Sequence, residues 1–284
     1  QGVYTWNDYN GDGIKDLNEF EIAAYADQAS YVRVFTPSNE YTKVYFNEYN
    51  QSLMLRPERV WSNKKGFLHA LSLFSTQTRF RIQRKSGDFD KARAYNPFVF
   101  KYEDTVLIST SSLVRNTVYF NRTSSIGGMD YSYENTRSKV LLATGFDGKA
   151  KESHEVNGRI TVWKKFTLQT TVELGNKASK VDYTSGRDYK LSYWLIKPSF
   201  IYQPNTNLRF SLDGRVVEKR NKPELGGEKA SIYDIGFTGK YNQTQKGSLQ
   251  GQFNVIRIVF QGSSNSPLGF ELLEALKPGI NYVW

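Results

Sequence analysis

After residue 30 the apolar residues fall on every second position, and they do so for long stretches. Phe166, Leu168, Val172 and Leu174 share one face, with Thr167, Gln169, Thr171 and Glu173 on the other. Leu208, Phe210, Leu212 and Val216 oppose Arg209, Ser211, Asp213 and Arg215. Tyr233, Ile235, Phe237 and Tyr241 oppose Asp234, Thr238 and Lys240. Over residues 68–83, Leu68, Phe74, Phe80 and Ile82 oppose Gln77, Arg79, Arg81 and Gln83. Successive side chains on a strand point to opposite faces, so period two predicts strands with one apolar and one polar face. Strands of soluble sandwiches usually run to about five or six residues. Here the alternation exceeds that and continues into polar stretches such as Lys149 to Gly158.

The connections alternate as well. Trp163 to Phe166, Gln203 to Asn207 and Thr244 to Gly247 read as tight turns. Between them lie polar loops, about 178–188 and 220–229, the second holding Pro223, Gly226 and Gly227. Short turn, long loop, short turn is the rhythm of an antiparallel meander. With Trp163, Phe166, Trp194, Tyr202 and Tyr241 near strand ends, the pattern resembles Gram-negative outer-membrane β-barrels, whose aromatic girdles mark the two interfaces. The last eight residues, Lys277 to Trp284, resemble the terminal signal of such barrels, with Gly279, Tyr282 and Trp284 at its glycine and aromatic positions. Leu268 to Leu276, just before, reads as helical. The resemblance implies an all-β fold. Residues 31–284 would be an antiparallel transmembrane β-barrel of about ten to twelve strands, complete or the C-terminal part of a larger one.

Residues 8–19 match the twelve-residue calcium loop D-x-[DN]-x-[DN]-G-x5-E at every position. Asp8, Asn10 and Asp12 supply side-chain oxygens, Gly13 permits the reversal, and Ile14 offers its carbonyl. Asp16 acts through a water, and Glu19 gives two oxygens. The approach, Val3 to Trp6, is β-prone, while Glu19 to Gln28 is rich in helix formers. One loop and no partner loop resembles the single EF-hand-like loops of extracellular and bacterial proteins, as in dockerin modules. That resemblance implies a structural calcium ion, with affinity of about 10⁻⁴–10⁻³ M, pinning a segment of residues 1–30 that includes a short helix.

Composition narrows the function. There is no cysteine, which excludes disulfides, thiolate zinc sites and thiol catalysis. Mean hydropathy is −0.57, and no run approaches the ~20 apolar residues of a membrane helix. The net charge is +10, but Lys and Arg are spread among Asp and Glu with no basic helix or zinc module. Nucleic acid is therefore not an expected partner. Outer-membrane lipid, lipopolysaccharide and other envelope proteins suit the charge better. The two histidines, His69 in a stretch that reads as a strand and His154 in a charged stretch that reads as solvated, lack metal-ligand spacing. No nucleophile elbow, P-loop or dinucleotide fingerprint occurs, so no enzyme is expected. The leading expectation is a bacterial outer-membrane barrel acting in envelope transport, export or assembly. A secreted glycan-binding β-protein with a structural calcium and an outer-membrane barrel enzyme are the alternatives.

Overall fold

A computed structural model describes residues 2–262, without 10, 12, 16–18, 24, 26, 33, 35–42, 90–95, 97–105, 143–144, 183–187 and 244–245. The terminal signal at 277–284 and the helix expected at 268–276 lie outside the described residues. The chain divides into two units, Gln1–Lys43 and Val44–Trp284.

In the first unit, β1 (Tyr4–Trp6) pairs antiparallel with β2 (Phe20–Ile22), Trp6 opposite Phe20 and Tyr4 opposite Ile22. Tyr31 bridges to Tyr4, and its ring meets Phe20 edge-on at 5.2 Å. The helix expected directly after Glu19 is not formed, because Phe20–Ile22 is a strand. Helix propensity is a weak prior, and a ten-residue helix is marginal without packing. The ladder to β1 offers these backbone groups partners at once.

The second unit is one antiparallel meander in which each strand pairs with its sequence neighbours. Its strands are β3 (Tyr45–Leu55), β4 (Phe74–Ser86), β5 (Leu107–Phe120), β6 (Gly127–Leu142) and β7 (Gly145–Val162). They continue as β8 (Phe166–Val181), β9 (Tyr189–Tyr202), β10 (Leu208–Asn221), β11 (Lys229–Gln243) and β12 (Gly247–Gln261). Among the described residues β3 and β12 each have one partner, so the ten-stranded sheet is open, where the resemblance to outer-membrane barrels implied a closed barrel or part of one. Two short helices, α1 (Glu58–Trp61) and α2 (Phe67–Ser72), connect β3 to β4. The alternation expected from residue 68 therefore begins only at Phe74. Leu68 and His69 lie on α2, whose Leu68, Ala70 and Leu71 are good helix formers.

The turns sort by end. Residues 121–126, 163–165, 203–207 and 244–246 join strands at one end, together with the helical connection. Residues 87–106, 143–144, 182–188 and 222–228 join them at the other, where β3 also begins. At the first end Trp163 and Lys164 both sit in the left-handed region, φ 51° and 58°. Two consecutive residues of that kind match the right-handed twist of the flanking strands.

A buried apolar cluster lies toward the long-loop end. It contains Leu191, Val217, Ala230 and Ile232, packed by Tyr189, Leu195, Ile258 and Phe260. Beside it, the buried Asn221 amide donates to the Leu225 carbonyl and to Glu228 Oε2, both at 2.8 Å. Asn221 Oδ1 accepts from Lys190 N at 3.0 Å, which ties the 222–228 loop to β9.

Candidate functional site

The strand pair of the first unit sets the ends of the calcium motif opposite each other. Trp6 and Phe20 are in register, so Asn7 and Glu19 face across the loop, and Asn7 N donates to the Glu19 carbonyl at 2.9 Å. Asp8 Oδ1 accepts from Gly11 N at 2.7 Å, and Asp8 Oδ2 accepts from Gly13 N at 2.9 Å. Gly11 and Gly13 take φ of 73° and 71°, the left-handed conformation glycine adopts without steric cost. Glu19 is only 2% exposed, and its Oε2 accepts from the Trp6 indole at 2.9 Å. Loop positions 1 and 12 are thus brought into one turn, with a carboxylate withdrawn from water.

Ile14 is described, its side chain directed to solvent. Asn10, Asp12 and Asp16 lie outside the described residues. Among the described residues no group of three His, Cys, Asp or Glu gathers. The surroundings are acidic: Glu21, hydrogen-bonded to the Tyr9 hydroxyl, holds that phenol above its ordinary pKa. Lys15 is drawn away, its Nζ 5.5 Å from the Trp6 ring and 5.1 Å from the Tyr31 ring.

In the second unit the apolar face is the exposed one. Cross-strand register puts Ile160, Leu168, Phe200, Leu212, Phe237 and Phe253 on one side of the sheet. Leu174 is 56% exposed, Ile235 63% and Phe253 67%. Aromatic rings border this side twice. Toward the short turns stand Phe74 and Phe120 (5.1 Å), Phe166 and Tyr202 (4.6 Å), and Phe210 and Phe237 (6.1 Å). Toward the long loops stand Tyr131, Tyr133, Trp194 and Tyr233. Tyr202 and Trp194 are eight residues apart, as are Tyr241 and Tyr233, so the interval is the same on two strands.

His154 falls on this same side, in line with Leu174, and its Nδ1 lies 2.7 Å from the Tyr131 hydroxyl. Of the charged residues around it, Lys151 and Glu155 point the other way, while Glu152 shares its side and accepts from the Tyr133 hydroxyl at 3.2 Å. His69 Nδ1 faces the Ser62 carbonyl at 3.3 Å. The two histidines sit on different elements, and their ring nitrogens meet a backbone carbonyl and a phenol.

The opposite side is polar and more enclosed. Ser132 and Thr117 are buried and share a hydrogen bond of 2.8 Å. A charged row crosses five strands: Arg115 to Glu134 at 3.7 Å, Glu134 to Lys151 at 3.6 Å, Lys151 to Glu173 at 3.3 Å. Tyr193 ends it, donating to Glu173 Oε1 at 2.6 Å. Nearer the short turns a cavity of about 390 Å³ is lined by Asp130, Asn157, Arg159 and Thr171. There the Asn157 amide donates to Asp130 Oδ2 at 3.0 Å, and Thr171 Oγ1 donates to Asn157 Oδ1 at 2.6 Å. Sequence reading did not single out this row. The alternation Lys149, Lys151, Ser153, Glu155 was its visible trace.

No helix among the described residues is long and apolar enough to cross a membrane, which says nothing about strands. Comparison with known protein families, characterised proteins and solved structures returned no match.

Proposed function

We propose that residues 44–284 form a membrane-spanning wall of the outer-membrane β-barrel type, acting in envelope transport, export or assembly. The observation that carries this reading is the inverted exposure of the sheet: large apolar side chains face out while Thr117, Ser132, Ser153 and Ser179 on the other side are buried. In water such a face would be an aggregation surface, since soluble monomers rarely expose more than a few hundred Å² of contiguous apolar area. In a bilayer it is the expected surface.

The dimensions fit. Phe166 to Leu174, Tyr202 to Trp194 and Tyr241 to Tyr233 each span eight residue steps. At roughly 3.3 Å per residue that is about 26 Å of strand, or about 20 Å of depth at a tilt of roughly 40°. The apolar band of outer-membrane barrels is about 25 Å tall and edged by aromatics. Unpaired strand edges are not tolerated in hydrocarbon. The edges of β3 and β12 are therefore paired in the membrane, to each other or to further strands of a larger barrel. Ten antiparallel strands leave β3 and β12 running in opposite directions, as direct closure requires. The charged row and polar cavity then face an aqueous lumen.

The first unit we read as a structural calcium site in the outer envelope. Asp8 and the buried Glu19 are the described ligands, with Asn10, Asp12, Asp16 and the Ile14 carbonyl completing the motif. The tight Asp8 turn and the desolvated Glu19 carboxylate fit a hard divalent cation, which would neutralise the buried Glu19 charge when bound.

Detergent dependence tests the membrane reading. The protein should be monodisperse with β-type circular dichroism in micelles and should aggregate when detergent is diluted below its critical micelle concentration. A protein that stays monodisperse without detergent overturns the wall and favours a secreted β-protein.

A further inference from the structure

Resting on the membrane reading above, we propose that the long-loop end of the sheet carries a binding site for the headgroup of a phosphorylated glycolipid. Arg137, Lys139 and Lys180 supply the charge. Two cross-strand rows build the site. In one, Arg137 pairs with Ala150, which pairs with Ala178. In the next, Lys139 pairs with Gly148, which pairs with Lys180. Gly148, Ala150 and Ala178 thus form a low floor on β7 and β8, and the three long cationic side chains rise on either side of it. The result is a cavity of about 400 Å³, with Thr110 and Ser112 of β5 along its flank.

The cations are placed for a ligand. Lys139 Nζ lies 4.3 Å over the Phe146 ring, which holds its stem across the floor. Among the described residues neither Arg137 nor Lys180 has an ion-pair partner. Lys149, which also borders the cavity, is paired with Asp147 at 3.7 Å. One acid stands at the rim, Asp182, whose Oδ2 accepts from Phe146 N at 3.2 Å.

Position selects an amphiphile over a free anion. The site opens on the same side of the sheet as Val156, Val172 and Leu174 and continues their strands. Arg137 lies four residues beyond Tyr133 and Lys180 six beyond Leu174, about 13 and 20 Å further along at roughly 3.3 Å per residue. Acyl chains on the apolar stretch would place the polar part of the same molecule on the floor. A phospholipid ends near the girdle. A glycolipid with phosphates on a sugar backbone reaches both rows, and the Gly–Ala–Ala floor leaves room for a sugar ring beneath Arg and Lys donors suited to phosphate.

The test titrates the protein in neutral-detergent micelles with fluorescent deep-rough lipopolysaccharide, read by anisotropy. R137Q/K139Q/K180Q should bind about 100-fold more weakly, the loss of three near-surface cations. R137K/K139R/K180R should retain binding. A150F, which keeps every charge but fills the floor, should lose it. Dephosphorylated glycolipid should bind like the triple variant, and inorganic phosphate should not displace the intact lipid at equal concentration. Equal binding by wild type and the triple Gln variant overturns the site, as does equal binding of the dephosphorylated lipid. Displacement by inorganic phosphate alone makes it a simple anion site and overturns the glycolipid. Insertion into liposomes is scored in parallel. A wild type that does not insert sinks the membrane reading and this site together; one that inserts but binds no better than the variant sinks the site alone.

Discussion

At the scale of single residues, the proposed calcium loop hangs on Glu19. It occupies the twelfth loop position and is closed off from water by the strand pair and the Trp6 indole. Glu19→Gln removes a charge and a bidentate ligand together. We expect calcium affinity to fall by at least the roughly 10–100-fold that losing a supporting partner of a metal ligand costs. Terbium replaces calcium in such oxygen sites, and Trp6, bonded directly to Glu19, is its natural antenna. Wild-type protein should show tryptophan-sensitised terbium emission that calcium quenches. Equal emission from wild type and Glu19→Gln would remove the assignment. A second residue-scale expectation concerns Asn221. Its side chain serves four partners, one of them the buried Glu228 carboxylate. Asn221→Leu should cost roughly 1.5–3 kcal/mol, the value of hydrogen bonds to a charged group, measured as a shift in the urea unfolding midpoint in micelles.

At the scale of elements, β8 carries the sharpest contrast between neighbours. Val172 points to the apolar side and Thr171 to the polar side, where its hydroxyl bonds Asn157. Val172→Arg should destabilise by roughly 2–4 kcal/mol if that side meets lipid near the midplane. Thr171→Arg loses one neutral hydrogen bond of roughly 0.5–1.5 kcal/mol and places a cation in water. Comparable losses at both positions, from unfolding in lipid vesicles, would mean the two sides are wrongly assigned. The connections were less legible than the strands. Phe67 to Leu71 alternates acceptably as a strand and is spaced equally well as a helical turn. The break after the left-handed Gly66 (φ 71°) decided for the helix. Phe20–Ile22 went the other way, since a local ladder outcompeted good helix formers.

At the scale of the whole molecule, the sorting of turns by end predicts sidedness. Barrel turns are short on the periplasmic side and long outside. The turns at 163–165, 203–207 and 244–246 should be periplasmic, and the 222–228 loop extracellular. The chain has no cysteine, so a single introduced thiol is an unambiguous reporter. Gly226 is unsuitable for it: φ is 119°, and an added Cβ would stand 2.7 Å from Glu228 Oε2. Asn205 is also unsuitable, because its Oδ1 caps the turn by accepting from Asn207 N and Leu208 N. Glu224→Cys and Thr206→Cys are exposed and leave those contacts alone. On intact cells an impermeant maleimide should label Glu224→Cys and spare Thr206→Cys. The reverse pattern inverts the topology, and labelling of both speaks for a protein lying on the surface.

Period two and the calcium motif were readable along the chain because both are local. A strand's faces follow from residue parity, and a calcium loop needs fixed spacing within twelve residues. Hence the strand character of β8, β10 and β11 and their apolar faces were visible in advance, as was the twelve-residue motif from Asp8 to Glu19. Parity is blind to which side is covered. Only the register of ten strands showed that the apolar side lies open while Ser132, Ser153 and Thr117 are enclosed. The charged row from Arg115 to Tyr193 and the rows joining Arg137, Lys139 and Lys180 also required the register. Their members are separated by tens of residues along the chain, and cross-strand pairing alone makes them neighbours.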